Sequence, residues 1–177
     1  MEKKKVAQGC LMAVIILISL SIGISSCGGK EETFHFTIDE FEKTFKEIID
    51  ETKGNSFIDV KKKKVIETGR FSINLVDGID VLVDVDKDNK VKNASVIVAS
   101  SSFLVYNKEV RIAFQALLKS MDSSLSVTQQ LMIFENLGIT GKADMLDHED
   151  IYSLNDITYS YKGSVEADAI RLSAEPE

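Results

Sequence analysis

The sequence predicts an α+β domain, an antiparallel β-meander sheet packed on one face by about three helices, and three observations predict it. Apolar residues recur at helical spacing after a capping signal at Thr37, the period changes to two between Phe57 and Ser100, and helical spacing returns at Asn107 before a last alternating pair of segments. The order α, three or four β, two α, two β describes one domain over residues 37–174, and no internal repeat is evident.

Thr37-Ile38-Asp39-Glu40 is a capping box with Thr37 at the N-cap and Glu40 at N3, and Phe36 and Phe41 stand where a hydrophobic staple forms. Ile38, Phe41, Phe45, Ile48 and Ile49 then share one helical face, and Gly54 supplies a stop, so the spacing predicts a helix over about 38–53. Glu42, Lys43, Lys46, Glu47 and Asp50 make its solvated face, with i,i+4 pairs such as Glu42 with Lys46.

The meander follows. Phe71, Ile73 and Leu75 alternate with Ser72 and Asn74, Asp77-Gly78 punctuates, and Ile79 to Val85 alternates again. The turn Asp86-Lys87-Asp88-Asn89 then leads into a strand over Val91 to Val98. Lys61 to Lys64 fall in the opening strand with two lysines on each face, which suits an edge strand guarded against aggregation.

Asn107 reads as the N-cap of a helix whose Val110, Phe114, Leu117 and Met121 line one face. A second capping box, Ser126-Val127-Thr128-Gln129, opens a helix with Val127, Leu131 and Phe134 inward and Gly138 at its end. Residues 139–155 read as an acidic loop, Ile157 to Lys162 and Val165 to Leu172 as a closing hairpin around Gly163, and Glu175-Pro176-Glu177 as a fraying end.

The chain has 177 residues, 44% of them hydrophobic and 28% charged, with one Pro and two Cys. That composition excludes a disordered tail, a disulfide-built miniprotein and a multipass membrane protein. A net charge of −7 argues against nucleic acid as a partner, because binding to phosphates requires a basic surface.

The N-terminus carries the most specific signal. Glu2, Lys3, Lys4 and Lys5 precede an uncharged apolar stretch from Cys10 to Ile24. As a helix it would reach only about 22 Å, short of the ~30 Å hydrocarbon core, so it reads as the apolar region of a signal peptide. It ends in Ile24-Ser25-Ser26-Cys27, which resembles the lipobox of bacterial lipoproteins: a branched aliphatic residue, two small residues and the Cys. Ile24 replaces the commoner Leu. The resemblance covers residues 1–27 and implies removal of residues 1–26, a diacylglyceryl group on Cys27, and a tether over 27–36. It further implies a cell-envelope location outside the cytoplasm. Gly28, which is not the Asp linked to inner-membrane retention, implies the outer membrane where the organism has one.

Without the three lysines and one glutamate of the removed segment, the mature chain carries 18 basic and 27 acidic residues, net −9. Cys10 leaves with the signal and the lipid uses Cys27, so no disulfide joins the mature domain. About 150 residues suffice for a core that holds itself together.

Catalytic patterns are mostly excluded. The mature chain has only His35 and His148, there is no Gly-x-Ser-x-Gly elbow, and Gly138-Ile139-Thr140-Gly141-Lys142 fails as a phosphate loop because Ala143 stands where Ser or Thr binds magnesium. Asp84-Val85-Asp86-Lys87-Asp88 fails as a calcium loop, since Asn89 replaces the turn Gly and Ser95 the bidentate Glu. One cluster survives, Asp144, Asp147, His148, Glu149 and Asp150, whose oxygens and imidazole suit a divalent cation only if the loop curls around it, and a solvated loop explains it equally. The reading is therefore a membrane-anchored, non-catalytic binding or interaction module with no cofactor, no metal and no catalytic residue. Its partners are the membrane, through lipid on Cys27, and an envelope protein. A small-ligand carrier and a metal-dependent hydrolase are the alternatives. The organisation is similar to that of small bacterial lipoproteins built as a helix followed by a meander.

Overall fold

The structure, a computed structural model, describes residues 32–139 and 146–177. Its contacts begin before the first helix. The Phe34 N–H donates to the Val91 carbonyl (2.8 Å), Val91 N–H donates to Phe36 (3.1 Å) and Ile38 N–H to Asn89 (3.0 Å). Phe34 to Phe36, assigned to the tether by sequence, therefore belong to the fold.

Thr37 caps α1 (Ile38–Thr52) through the expected box: its hydroxyl accepts from the Glu40 N–H at 3.4 Å, and the Glu40 carboxylate accepts from the Thr37 N–H at 2.7 Å. The rings of Phe34, Phe36, Phe41 and Phe45 stack in succession, with centroids 5.1, 6.5 and 5.6 Å apart, so the staple extends into a four-ring ladder. On the outer face Lys46 pairs with Asp50 at 3.0 Å, but Glu42 turns from Lys46 to Lys63 at 2.6 Å, a correction to the expected i,i+4 pair. Lys63 lies on the segment that runs beside α1 and outcompetes a neighbour on the same helix.

The meander comprises β1 (Lys64–Glu67), β2 (Arg70–Val76), β3 (Ile79–Val85) and β4 (Val91–Ala99). β1 starts at Lys64, later than expected, although Asp59 and Lys61 already bond to Leu75 and Asn74 of β2. Gly78 closes the β2–β3 turn at φ +77°, and a Cβ there would stand 1.9 Å from Ser102 Oγ, so only glycine fits. At the β3–β4 turn one Asp86 oxygen accepts the N–H groups of Asp88 and Lys90, both at 2.8 Å, which occupies the carboxylate of the calcium look-alike with a hairpin turn.

Three helices follow where two were expected. α2 (Ser100–Val105) is a single short helix, and α3 (Asn107–Met121) has Tyr106 at its N-cap without a side-chain bond, so Asn107 is its first helical residue and not its cap. α4 (Val127–Asn136) opens with the expected box, Ser126 and Gln129 exchanging bonds. Its inward residues are Gln130, Ile133 and Phe134, while Val127 and Leu131 are exposed; the buried face is rotated from the expected one. The helix instead buries the stripe that continues to Leu137.

The acidic segment is not all loop, because β5 (Glu149–Leu154) forms within it and pairs with β6 (Ile157–Ser164) through a turn in which Asn155 and Asp156 both have positive φ, 55° and 60°. Gly163 lies inside β6, and the next turn spans 165–168. β7 (Ala169–Pro176) runs to Pro176, with the Glu177 N–H bonded to Asp156 O at 3.1 Å, so the expected fraying end is paired. The seven strands form one antiparallel sheet in the order β1-β2-β3-β4-β7-β6-β5, two meanders joined where β4 meets β7.

The helices cover one face of this sheet. α1 packs on α3, and α3 on β4 and β7, burying Phe41, Phe45, Leu117 and Leu118 against Val81, Val83, Val96, Val98, Ile170 and Leu172. The other face carries a second, smaller apolar group, Leu82, Ile97 and Ala169, among polar neighbours.

Candidate functional site

The open end of the fold, where the chain enters, holds a groove of about 890 Å³. Five segments converge there: residues 32–36, the first turns of α1, the α3–α4 connection, the β5–β6 turn and the end of β7. Each is fixed by a local device. The incoming segment is paired to β4, and Asp122, which follows α3, accepts from the Ser124 N–H (2.8 Å) and hydroxyl (2.6 Å) and, on its other oxygen, from Asn155 Nδ2 (2.7 Å). The α3–α4 connection is thereby clamped to the β5–β6 turn, and the groove keeps its shape.

The lining is amphipathic. Phe34, Phe36, Phe41, Met121, Ile157 and Pro176 supply apolar surface, while Glu32, Glu40, Asp122, Asp156 and Glu177 supply carboxylates, and among the described residues no Lys or Arg lines it. Burial alone would raise the Asp122 pKa, but the bonds from Asn155 and Ser124 outweigh it and hold the group below the usual carboxylate range. The Thr37 backbone bond, then its side chain, lowers Glu40 likewise. The buried Tyr159 hydroxyl has no hydrogen-bond partner; burial, then the charge of Asp122, raises its pKa well above the ordinary tyrosine value.

Ser120 Oγ donates to Ala116 O (2.7 Å) and Ser124 Oγ to the Asp122 carboxylate that also holds the Ser124 N–H and Asn155, so both hydroxyls are committed to local turn and helix bonds. What the groove offers is negative charge beside aromatic surface, the chemistry that receives a cationic group with an apolar stem.

The other sequence candidates are dispersed. Cys27 and Asp144 lie outside the described residues. In the rest of the acidic cluster, His148 Nε2 stands 2.9 Å from the Leu137 carbonyl and 3.4 Å from Asp150, its ring stacks on Tyr161 at 4.7 Å, and Glu149 turns away to Lys162 at 2.9 Å. Strand alternation sends Glu149 and Asp150 to opposite faces of β5, so the sheet separates what the sequence clusters. Among the described residues no group of three metal-ligating side chains forms.

Sequence reasoning did not single out the groove. Its signals were present as the Phe34-His35-Phe36 alternation ahead of the cap and the Asn155-Asp156 pair suited to a tight turn, but nothing in the sequence joins them in space. No family model, curated protein or solved structure matches the chain.

Proposed function

We propose that the protein is a lipid-anchored, non-catalytic binding module of the cell envelope that takes a cationic, partly apolar segment of a partner in its end groove. The observation that carries this reading is the groove itself, walled by carboxylates and phenyl rings with no lysine or arginine among the described lining residues. Its position supports the tether. With the fold beginning at Phe34, six residues separate Cys27 from the first paired backbone, at most about 25 Å of extended chain, which keeps the groove close to the bilayer.

The test is a titration of the full chain in detergent with a short peptide alternating Lys and Phe, and with the same peptide carrying Glu for Lys. Binding of the basic peptide alone is expected, weakened about tenfold by Asp156→Asn with Glu177→Gln, two exposed positions. Equal binding of both peptides, or affinity indifferent to that pair of substitutions, would overturn the reading.

A further inference from the structure

An odd number of strands, each antiparallel to its neighbours, makes the two edges of this sheet run in the same direction. A second copy shifted sideways, with its helices on the same face, therefore brings its β1 alongside β5 of the first as a parallel pair. The edges differ in charge. Lys62 and Lys64 are exposed at the β1 edge with Ile66, 40% exposed, and Glu67 there is held by Arg70 at 2.7 Å, whereas the β5 edge presents Asp147, Glu149 and Asp150 with Ile151, 67% exposed, Glu149 also meeting Lys162 at 2.9 Å.

Charge on edge strands usually protects them, and here it protects selectively. A centred two-fold pairing of β1 matches Lys64 with Glu67 but leaves Lys62 against the Gly69 turn, and one of β5 sets Glu149 and Asp150 against Leu154 and Ser153, so neither gives all the edge charges a partner. The pairing of β1 with β5 of another copy sets opposite charges together.

We infer that copies of this chain associate head to tail through β1 and β5, with Lys62 beside Asp147, Lys64 beside Glu149 and the exposed Ile66 beside Ile151 on the helix-free face. Lys64 pairs with Ser72 and Glu149 with Lys162, and both ladders continue to the helix-free face, so this register aligns the faces of the two sheets. The interface is heterologous and does not close on itself, so it builds open rows. A sideways repeat leaves the entering chain of every copy at the same end, compatible with anchors in one membrane. The inference does not depend on the groove.

The test is sedimentation of the full chain in detergent. At about 0.1 M salt, mass is expected to rise with protein concentration past the dimer, and at about 1 M salt, where the screening length falls to about 3 Å, the chain is expected to be monomeric. Lys64→Glu or Glu149→Lys should each weaken association about tenfold, and the double reversal should restore it. Far-UV circular dichroism and a urea melt establish that each variant is folded. A monomer at high concentration in low salt, a closed dimer, or association unchanged by the single reversals would overturn the inference.

Discussion

Lys63 ties the edge of the sheet to the helix layer through Glu42. Its Nζ lies 2.6 Å from one Glu42 oxygen, its backbone N–H donates to the other at 3.3 Å, and Asp39 stands 2.5 Å from the same ammonium. The bond to Asp39, then that to Glu42, holds the lysine pKa above its ordinary value. A raised lysine stabilises the fold at every pH below the unfolded value and loses that contribution as pH climbs through the folded one, so the contact is constant through neutrality. Glu42→Ala is expected to cost about 1 kcal/mol in a urea melt, and less in high salt. No cost at low salt would mean the link is ornamental.

The first helix separates three kinds of contribution. Thr37→Ala removes the cap bond and should cost about 1 kcal/mol, whereas Phe45→Ala empties a fully buried site and should cost about 3–5 kcal/mol. Lys43→Ala, on the solvated face, should change stability by less than about 0.5 kcal/mol. Chemical denaturation ranks the three, and a Phe45→Ala cost equal to that of Lys43→Ala would place the aromatic ladder outside the core.

α4 supplies a contrast between two aliphatic residues two positions apart. Ile133 is fully buried and Leu131 is 53% exposed, so Ile133→Ala should cost about 2–5 kcal/mol and Leu131→Ala under about 1 kcal/mol. The reverse order would restore the face that the sequence predicts.

The difficulty at α4 is general. Its residues offer two overlapping apolar stripes, Val127-Leu131-Phe134 and Gln130-Ile133-Phe134-Leu137, and only the position of the sheet decides between them. α1 had no such ambiguity, since its cap, staple and stripe agree, and it was legible to within a residue of its end. β2 to β4 were legible for the same reason, clean alternation between recognisable turns. β5 was not, because its Glu149-Asp150-Ile151 start is polar, as an edge strand permits, and looks like loop. The end groove is assembled from five segments far apart in sequence, so its charge and shape became visible only when the chain was folded.

Asp80 yields a pH dependence. It is 6% exposed, burial raises its pKa, and the bond from Asn74 (3.2 Å) offsets only part of that. A raised carboxyl favours the folded state below the unfolded pKa of about 3.9 and withdraws that benefit as pH rises through the folded value. Asp80→Asn removes the charge while keeping an oxygen for Asn74. Thermal melts should therefore show the variant more stable than the wild type at neutral pH, with the difference shrinking towards zero below about pH 4. A difference that does not change with pH would mean that Asp80 is solvated as an ion.

The proposed function depends on attachment to the membrane through Cys27, the only thiol at the end of the apolar N-terminal stretch. Metabolic labelling with a radioactive fatty acid, comparing the natural chain with Cys27→Ser, tests it most directly. The expected result is label on the natural chain and none on the variant, which should also keep its precursor size. Label retained on the Ser variant, or a natural chain that takes up none, would contradict it.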